Sequence, residues 1–453
     1  MKYNEFLETK AQMGANYGFE PTFLPEQLKD FQKGLVKWAC LKGRSAIMAD
    51  CGLGKTFMQL VWGQNVVEHT NKPVLILTPL AVAAQTVREG EKFGIDCEQS
   101  RDGAFQKKIV VANYHILEKF NADDFGGVVC DESSILKNHD GAFKQQITIF
   151  MRRIPYRMLA TATPAPNDFI ELGTASEALG YMGFMDILGK YFKNDNNNVG
   201  LRRHFGEAPK FWFKGHSEVP FWRYIASWAR ACRMPSDLGF SDKDYILPSL
   251  IENKHRIEDL TPPDGMLFTI PARNLPEQRQ EKQRTINERC EKVASLIQEG
   301  RQSLVWCHFN SESKLLKEMI PNSVEVSGND SDDVKERRFL DFIDGEAPVL
   351  ITKPKIGGLG LNFQHCHHMT YFPSHSFEQY YQSVRRCWRF GQKHDVIVDI
   401  VYTEGEQKII SNMERKSKQS SEMFQRLIDE MQNATGQTRV NKFVNKEDLP
   451  KWL

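Results

Sequence analysis

Short apolar runs recur through most of the chain and alternate with stretches long enough to form helices. One series lies at 46–50, 74–79, 108–114, 126–132 and 157–164, and a second lies at 303–309, 323–328, 348–354, 369–373 and 396–402. Runs rich in β-branched residues and separated by helix-length segments are typical of parallel strands that are buried on both faces. The 453 residues also exceed the size of one typical domain. We therefore predict an α/β fold with two parallel-sheet lobes.

The segment 175–285, between the two series, has a different pattern. Residues 193–200 read KNDNNNVG, which is typical of a loop, whereas 221–234 have helical spacing and 260–278 are rich in proline. This composition predicts a helical insertion followed by a linker between the lobes.

Composition excludes several classes of protein. The chain has 59 Lys and Arg against 58 Asp and Glu, a net charge of +1, with 41% hydrophobic and 26% charged residues. These values exclude wholesale disorder, collagen-like sequence and a small disulfide-stabilised protein. The nine cysteines are scattered without a CxxC pair, and no stretch reaches the roughly 18 apolar residues that span a bilayer. We expect a soluble, reduced, cytoplasmic protein without a membrane partner.

A glycine-rich loop follows the first apolar run. The sequence ADCGLGKTF places Gly52, Gly54, Lys55 and Thr56 between a predicted strand and a predicted helix. Glycines let backbone N–H groups converge on phosphate oxygens, a lysine supplies positive charge, and a threonine hydroxyl can bind Mg²⁺. The alternative is a chance glycine-rich turn, since Ala49 stands where the motif usually begins with glycine.

Two adjacent acids end the fourth apolar run. In GGVVCDESS, Asp131 and Glu132 follow directly on a predicted strand, at the edge where ligands bind in open α/β sheets. Asp131 would position Mg²⁺, and Glu132 would orient and deprotonate an attacking water. Adjacent acids are more often a solvated turn, but with the phosphate-binding loop they predict ATP hydrolysis.

A basic cluster lies near the end of the second series. In QSVRRCWRFGQ (382–392), Arg386 and Arg389 are three residues apart and therefore predicted on one helix face. They could act as arginine fingers that stabilise charge in phosphoryl transfer. The alternative is an ordinary basic amphipathic helix.

Together these motifs resemble helicase superfamily two, and within it the Swi/Snf-type double-stranded DNA translocases. The matching segments span 28–402 in the family's order: LKDFQKGL, ADCGLGKT, LTPLAVAAQTVREGEKF, VVANYHIL, DESS, LATATPAPND, LVWCHFN, ITKPKIGGLGLNF and QSVRRCWRFGQ. The chain departs from the family at Ser134 and Trp388, where histidine is usual or frequent. Its short length resembles compact versions encoded by phages and other mobile elements.

The resemblance implies two RecA-like lobes and a role for each matching residue. It implies that Gln32 reads adenine, that Thr161 and Thr163 couple ATP state to DNA, and that lobe two completes the site. The residues implied for lobe two are Gly358, Gly360, Asn362, Gln382, Arg386 and Arg389. The implied cofactors are ATP and Mg²⁺, bound by Lys55, Thr56 and Asp131, and the implied partner is DNA, mainly double-stranded. Proteins of replication, recombination or nuclease systems are further candidate partners.

The predicted boundaries are 1–175 for lobe one, 176–285 for the insertion and linker, 286–404 for lobe two, and 405–453 for a C-terminal helix and tail.

Residues 201–234 are the predicted DNA-contacting region. They carry seven basic residues against two acids, a local charge of +5, and eight aromatic residues. Such a mixture suits a phosphate-tracking surface, but a small subdomain whose aromatic residues form its core explains it about equally well. The candidate contacts are Arg202, Arg203, Trp212, Arg223 and Arg230.

Three functions remain open from the sequence. The first is an ATP-driven translocase on duplex DNA, the second is a strand-separating DNA or RNA helicase, and the third is an ATP-gated DNA-binding or recruitment protein.

The cluster His365-Cys366-His367-His368 is better explained as the edge of a strand than as a zinc site. A structural zinc site needs four ligands, usually in two pairs, and the sequence has no second pair such as CxxC.

Overall fold

The computed structural model describes residues 15–79, 82–194, 211–257, 275–358 and 361–443. The chain divides into two compact units. The first lobe contains the described residues up to Asp242 and from Ser420 onward, and the second lobe contains Lys243–Gln419. Among the described residues, no helix is long and apolar enough to cross a membrane.

The first lobe is built on a seven-stranded parallel sheet. The strands of this sheet are β1 Arg44–Ala49, β2 Val74–Thr78, β3 Cys97–Ser100, β4 Ile109–Asn113, β5 Gly127–Asp131, β6 Tyr156–Ala160 and β9 Ala229–Cys232. The lobe also contains a separate antiparallel pair, β7 Phe192–Asn194 and β8 Phe211–Phe213. The order in the sheet is β3-β4-β2-β5-β6-β1-β9. Every residue of β2, β4 and β5 is buried, as expected for central strands with helices on both faces.

Helices connect these strands. They are α1 Asp30–Lys42, α2 Lys55–Thr70, α3 Ala83–Lys92, α4 Ala142–Arg153, α5 Leu172–Leu179, α6 Phe184–Tyr191 and α7 Glu218–Ala226. Helices α5, α6 and α7 precede β9 and therefore lie in the first lobe. The predicted segment boundaries at 175, 285 and 404 stay predictions.

The second lobe contains a six-stranded parallel sheet in the order β10-β15-β14-β11-β13-β12. Its strands are β10 Leu250–Ile257, β11 Ser303–Trp306, β12 Ser323–Val326, β13 Val349–Thr352, β14 His368–Tyr371 and β15 Val396–Thr403. Its helices are α8 Leu275–Arg284, α9 Ile286–Leu296, α10 Asn310–Met319, α11 Asp332–Ile343, α12 Pro354–Gly357, α13 Phe377–Cys387 and the start of α14 Gln407–Phe443. The predicted α/β class is confirmed by the two parallel sheets with their helices, which are consistent with two RecA-like lobes.

The helix α14 contributes apolar side chains to both cores. Ile409 and Met413 are buried in the core of the second lobe. Met423, Leu427 and Met431 are buried in the core of the first lobe. The helical spacing of these residues in the sequence is therefore explained by burial within the chain.

The helix predicted over 221–234 is wrong in its second half. Helix α7 ends at Ala226, and Ala229–Cys232 form β9, which pairs with β1 in parallel. The small side chains of Ala229, Ala231 and Cys232 are fully buried at this strand. Strand pairing, which is not visible in the spacing of residues along the sequence, decides the conformation here.

Candidate active site

Three neighbouring strands bring the candidate catalytic residues of the first lobe to one edge of the sheet. β5, β6 and β1 are adjacent, and they end at Asp131, Ala160 and Ala49. Asp131 is the last residue of β5, Glu132 and Thr161 follow β5 and β6, and the glycine-rich loop follows β1. The carboxyl ends of parallel strands are where ligands bind in open α/β sheets.

The glycine-rich loop has the conformation that only glycine adopts without strain. Gly52 and Gly54 have φ angles of 88° and 77°, in the left-handed region. A Cβ atom on Gly54 would also lie 2.4 Å from Nε2 of Gln32. Gly54 is the N-cap of α2, so the first N–H groups of a 16-residue helix lie at the loop. Helix N-termini attract anions, because their N–H groups are unpaired and the helix dipole is positive there.

The Gly54→Ala substitution tests this geometry. We expect it to lower the free energy of unfolding by about 1–2 kcal/mol, because a left-handed alanine is strained, and to weaken nucleotide binding by displacing Gln32. Gly34→Ala is the control, since its Cβ would meet nothing within 4 Å and α1 gains about 0.5–1 kcal/mol from alanine. Urea unfolding and ADP titration measure both effects. Equal stability of the two variants would contradict the assigned conformation.

Lys55 is held against the loop by backbone carbonyl groups. Its Nζ donates to the carbonyl oxygen of Ala49 at 2.9 Å and to that of Asp50 at 3.2 Å. The side chain is half-buried. The ammonium group is thus positioned beside the N–H groups of the loop, where an incoming phosphate would meet both.

Gln32 is fixed to the same loop. Its Nε2 donates to the carbonyl oxygen of Leu53 at 2.9 Å, and its Oε1 accepts from the backbone N–H of Lys29 at 2.9 Å. The structure therefore brings Gln32 to the glycine-rich loop, while its predicted role in reading adenine stays a prediction.

The two acids occupy different environments. Asp131 is buried, with its Oδ1 accepting from Nε2 of Gln59 at 2.7 Å and its carbonyl oxygen accepting from the hydroxyl of Tyr114 at 2.6 Å. Glu132 is half-buried and has left-handed backbone angles of 51° and 54°. Such a conformation is uncommon for a residue other than glycine, and it ends the extended backbone of β5.

The candidate coupling residues lie beside Glu132. The hydroxyl of Thr161 donates to Oε2 of Glu132 at 3.4 Å, and the N–H of Thr163 donates to that same hydroxyl at 3.0 Å. Both threonines are buried. The structure therefore brings together the segment DESS, with Glu132, and the segment LATATPAPND, with Thr161, through a direct side-chain contact.

The residues of this edge fit a magnesium nucleotide. Thr56 follows Lys55 at the start of α2, and Asp131 supplies a carboxylate, so both candidate ligands are hard oxygen donors. Within the described residues, no group of three His, Cys, Asp or Glu could hold a metal on its own. A site with few protein ligands is typical of Mg²⁺, which keeps several waters and shares phosphate oxygens with its nucleotide.

In the second lobe, Arg386 and Arg389 donate to the same carbonyl oxygen. Nη1 of Arg386 lies 3.2 Å and Nη1 of Arg389 lies 3.3 Å from the carbonyl oxygen of Leu361. The prediction that they share a helix face is wrong, because α13 ends at Cys387 and Arg389 lies beyond it. Nε of Arg386 also donates to the carbonyl oxygen of Gln382, one turn earlier. The two arginines are therefore brought together by a shared acceptor.

The glycine motif of the second lobe is partly described. Gly358 follows α12, and a Cβ atom there would lie 2.2 Å from the carbonyl oxygen of Pro354. Oδ1 of Asn362 accepts from the N–H of Gln364 at 3.2 Å. Gly360 lies outside the described residues. Glycine is therefore required at position 358 because a side chain there would collide with the backbone of Pro354.

Comparison with known proteins gives one family match. Residues 287–391 match the family model of the helicase conserved C-terminal domain. The second lobe is similar to helicase C-terminal domains. This helicase-like segment contains Gly358, Gln382, Arg386 and Arg389.

The chain is also similar to solved structures. The chain is similar to the Sulfolobus solfataricus SWI2/SNF2 ATPase core in complex with dsDNA, at 15% sequence identity and a TM-score of 0.42. The match covers 90% of this chain and 96% of that chain. No curated protein matches the sequence.

The candidate DNA contacts are in varied surroundings. Arg202 and Arg203 lie outside the described residues. Trp212, on β8, is 48% exposed, and Arg223 pairs with Glu430 through atoms 3.1 Å apart. The guanidinium of Arg230 lies 4.4 Å from the ring centre of Trp38, and burial lowers the pKa of Arg230 to about 10. DNA contact stays a prediction for all five residues.

Most described aromatic residues of the insertion form a core. Phe221, Trp222, Tyr224 and Trp228 are buried within the core of the first lobe. Phe213 packs on that core as well and stacks on Phe192 with ring centres 4.7 Å apart. Burial therefore explains most of the aromatic content that made this segment conspicuous in the sequence.

His368, the last residue of the cluster 365–368, belongs to a buried hydrogen-bond network. Nδ1 of His368 lies 2.7 Å from the hydroxyl of Ser303, and its Nε2 lies 3.0 Å from Oδ2 of Asp399. His255 contacts the other oxygen of Asp399 at 2.8 Å. Burial alone would raise the pKa of Asp399, but hydrogen bonds from His368, His255 and Asn253 outweigh burial and lower it. The network ties together four adjacent strands of the second sheet.

Two residues of the site were not found from the sequence. Gln59 and Tyr114 hold the carboxylate and the backbone of Asp131. Burial raises the pKa of Tyr114 well above its ordinary value, with smaller effects from Cys130 and Asp131, so its hydroxyl remains a donor. The only signal for Gln59 is a polar residue within the apolar segment FMQLVW.

Proposed function

We propose that this chain hydrolyses ATP and uses the reaction to move along double-stranded DNA. The observation that carries the proposal is the meeting of three motifs at adjacent strand ends: the loop with Lys55, the acids Asp131 and Glu132, and Thr161. The similarity of residues 287–391 to helicase C-terminal domains supports it.

In the proposed reaction, the first lobe binds the magnesium nucleotide and activates the attacking water. Lys55 and the N–H groups at the start of α2 bind the phosphates, and Thr56 and Asp131 hold the metal ion. The Mg²⁺ ion, when bound, neutralises charge on the phosphate oxygens. Glu132 orients the attacking water and accepts its proton, and Thr161 fixes the Glu132 carboxylate through the contact at 3.4 Å.

The second lobe is proposed to complete the reaction. Gln382, Arg386 and Arg389 would stabilise charge that develops on the transferred phosphoryl group. The guanidiniums of Arg386 and Arg389 already converge on one carbonyl oxygen, so they form a compact source of positive charge. A carbonyl oxygen is a neutral acceptor, and a phosphate would be a stronger one.

DNA is the proposed track, and duplex DNA the proposed form. The proposal rests on the motif resemblance, above all on GGLGLN with RxxRxGQ, and on the excess of basic residues in 201–234. Within the described part of that segment, exposed Trp212 and Arg223 are the best candidates for contact.

An ATPase assay with no nucleic acid, single-stranded DNA, duplex DNA and RNA in parallel tests the function. We expect duplex DNA to stimulate turnover most strongly, because a translocase couples hydrolysis to its track. Displacement of a triplex-forming strand, compared with unwinding of a tailed duplex, then reports movement separately from strand separation. Stimulation by single strands or RNA alone would favour the helicase alternative. Turnover that no nucleic acid changes would favour the recruitment alternative.

A further inference from the structure

Gln59 is a buried amide in an otherwise apolar part of α2. It lies four residues after Lys55, and its side chain is 1% exposed. Its neighbours Met58, Leu60 and Val61 are completely buried. Buried polar groups are unfavourable unless they are hydrogen-bonded, so an amide here needs a specific partner.

That partner is the carboxylate of Asp131. Nε2 of Gln59 donates to Oδ1 of Asp131 at 2.7 Å. An ionised carboxylate only accepts hydrogen bonds, so the amide nitrogen must face it, and this fixes the orientation of the Gln59 amide. Oε1 of Gln59 is then left buried and has no hydrogen-bond partner within the described part of the chain.

Two residues hold Asp131 in different ways. Tyr114 binds its backbone carbonyl at 2.6 Å and therefore fixes the end of β5. Gln59 binds the side chain and therefore fixes the rotation of the carboxylate. Loss of Gln59 would leave the strand end in place while the carboxylate gained rotational freedom.

We propose that Gln59 is a positioning residue for the metal-binding carboxylate. Its amide nitrogen holds Oδ1 of Asp131 at 2.7 Å and thereby fixes the carboxylate that would bind Mg²⁺. The inference deepens the proposed function and rests on it. Groups behind a metal ligand orient it, and their loss typically lowers metal affinity about 10- to 100-fold.

Gln59→Met tests the proposal, because methionine has a similar length and cannot donate the hydrogen bond to Asp131. Mn²⁺ affinity of the ADP complex, followed by electron paramagnetic resonance, should fall about tenfold or more. ADP affinity in EDTA should remain unchanged. The Mg²⁺ concentration for half-maximal ATPase activity should rise in parallel. Gln64→Met is the matched control on the same helix, since Nε2 of Gln64 donates to Oε1 of Glu68 at 3.0 Å rather than to a residue of the candidate site.

The outcomes separate the inference from the proposed function. Wild-type turnover with unchanged Mn²⁺ affinity in Gln59→Met would overturn the inference alone. An equal loss of ADP affinity in EDTA would overturn it too, because it would indicate a general structural role. A wild type that binds ADP without Mg²⁺-dependent turnover would overturn both. If Gln59→Met fails to fold, Gln59→Asn, which shortens the amide by one methylene, gives the same readout.

Discussion

The Lys55→Ala variant should lose ATP hydrolysis by at least about 10²-fold, as when one charge-stabilising donor is removed from an active site. Nζ of Lys55 lies beside the loop, 2.9 Å from the carbonyl oxygen of Ala49. With alanine, the loop keeps its N–H groups and glycine conformation but has no positive charge for the phosphates. Each 1.36 kcal/mol of lost transition-state stabilisation costs a factor of about ten.

Folding of Lys55→Ala should be preserved, because Lys55 is half-buried and its partners are loop carbonyls. Lys72→Ala is the matched control, since Nζ of Lys72 also donates to a backbone carbonyl, that of Asp123, at 3.1 Å. Steady-state ATPase rates and thermal unfolding compare the two variants. Retained turnover in Lys55→Ala, with the control unchanged, would rule out the phosphate-binding assignment.

The central strands could be predicted because burial on both faces imposes an apolar run. Each of the ten predicted runs overlaps a strand of one of the two parallel sheets. The edge strand β10 was missed, because most of its residues are exposed and its sequence LIENKHRI has no apolar run. Strands at a sheet edge need fewer apolar residues, so periodicity fails where burial is partial.

The sequence predicts those parts of the site that lie within short contiguous segments, but not the contacts between segments. The loop of Lys55 and the pair Asp131 and Glu132 are short segments whose chemistry is visible in the sequence. The contact between Gln59 and Asp131 joins residues 72 positions apart, and packing of α2 against β5 creates it. The packing of Arg230 on Trp38 depends on a strand that spacing did not predict, while its contact with DNA stays a prediction.

The Glu132→Gln variant should bind ATP with nearly normal affinity and hydrolyse it about 10²- to 10⁴-fold more slowly, the range for loss of a general base. Glutamine preserves the shape of the side chain and tolerates the left-handed backbone no worse than glutamate. Its amide oxygen can still accept from the hydroxyl of Thr161, so the contact at 3.4 Å is not lost. What is lost is the ability to accept a proton from water.

Single-turnover hydrolysis, measured beside equilibrium binding of a fluorescent ATP analogue, distinguishes this loss from a binding defect. Glu118→Gln is the control, since Glu118 is exposed near the end of the 3₁₀ helix Tyr114–Lys119 and should leave both values unchanged. Wild-type turnover in Glu132→Gln would remove Glu132 as the base. Reduced turnover with equally reduced ATP binding would point instead to a disturbed loop. Tight binding with slow hydrolysis would identify Glu132 as a residue that acts only on the reacting water, because the proposed mechanism assigns phosphate binding to Lys55 and the start of α2.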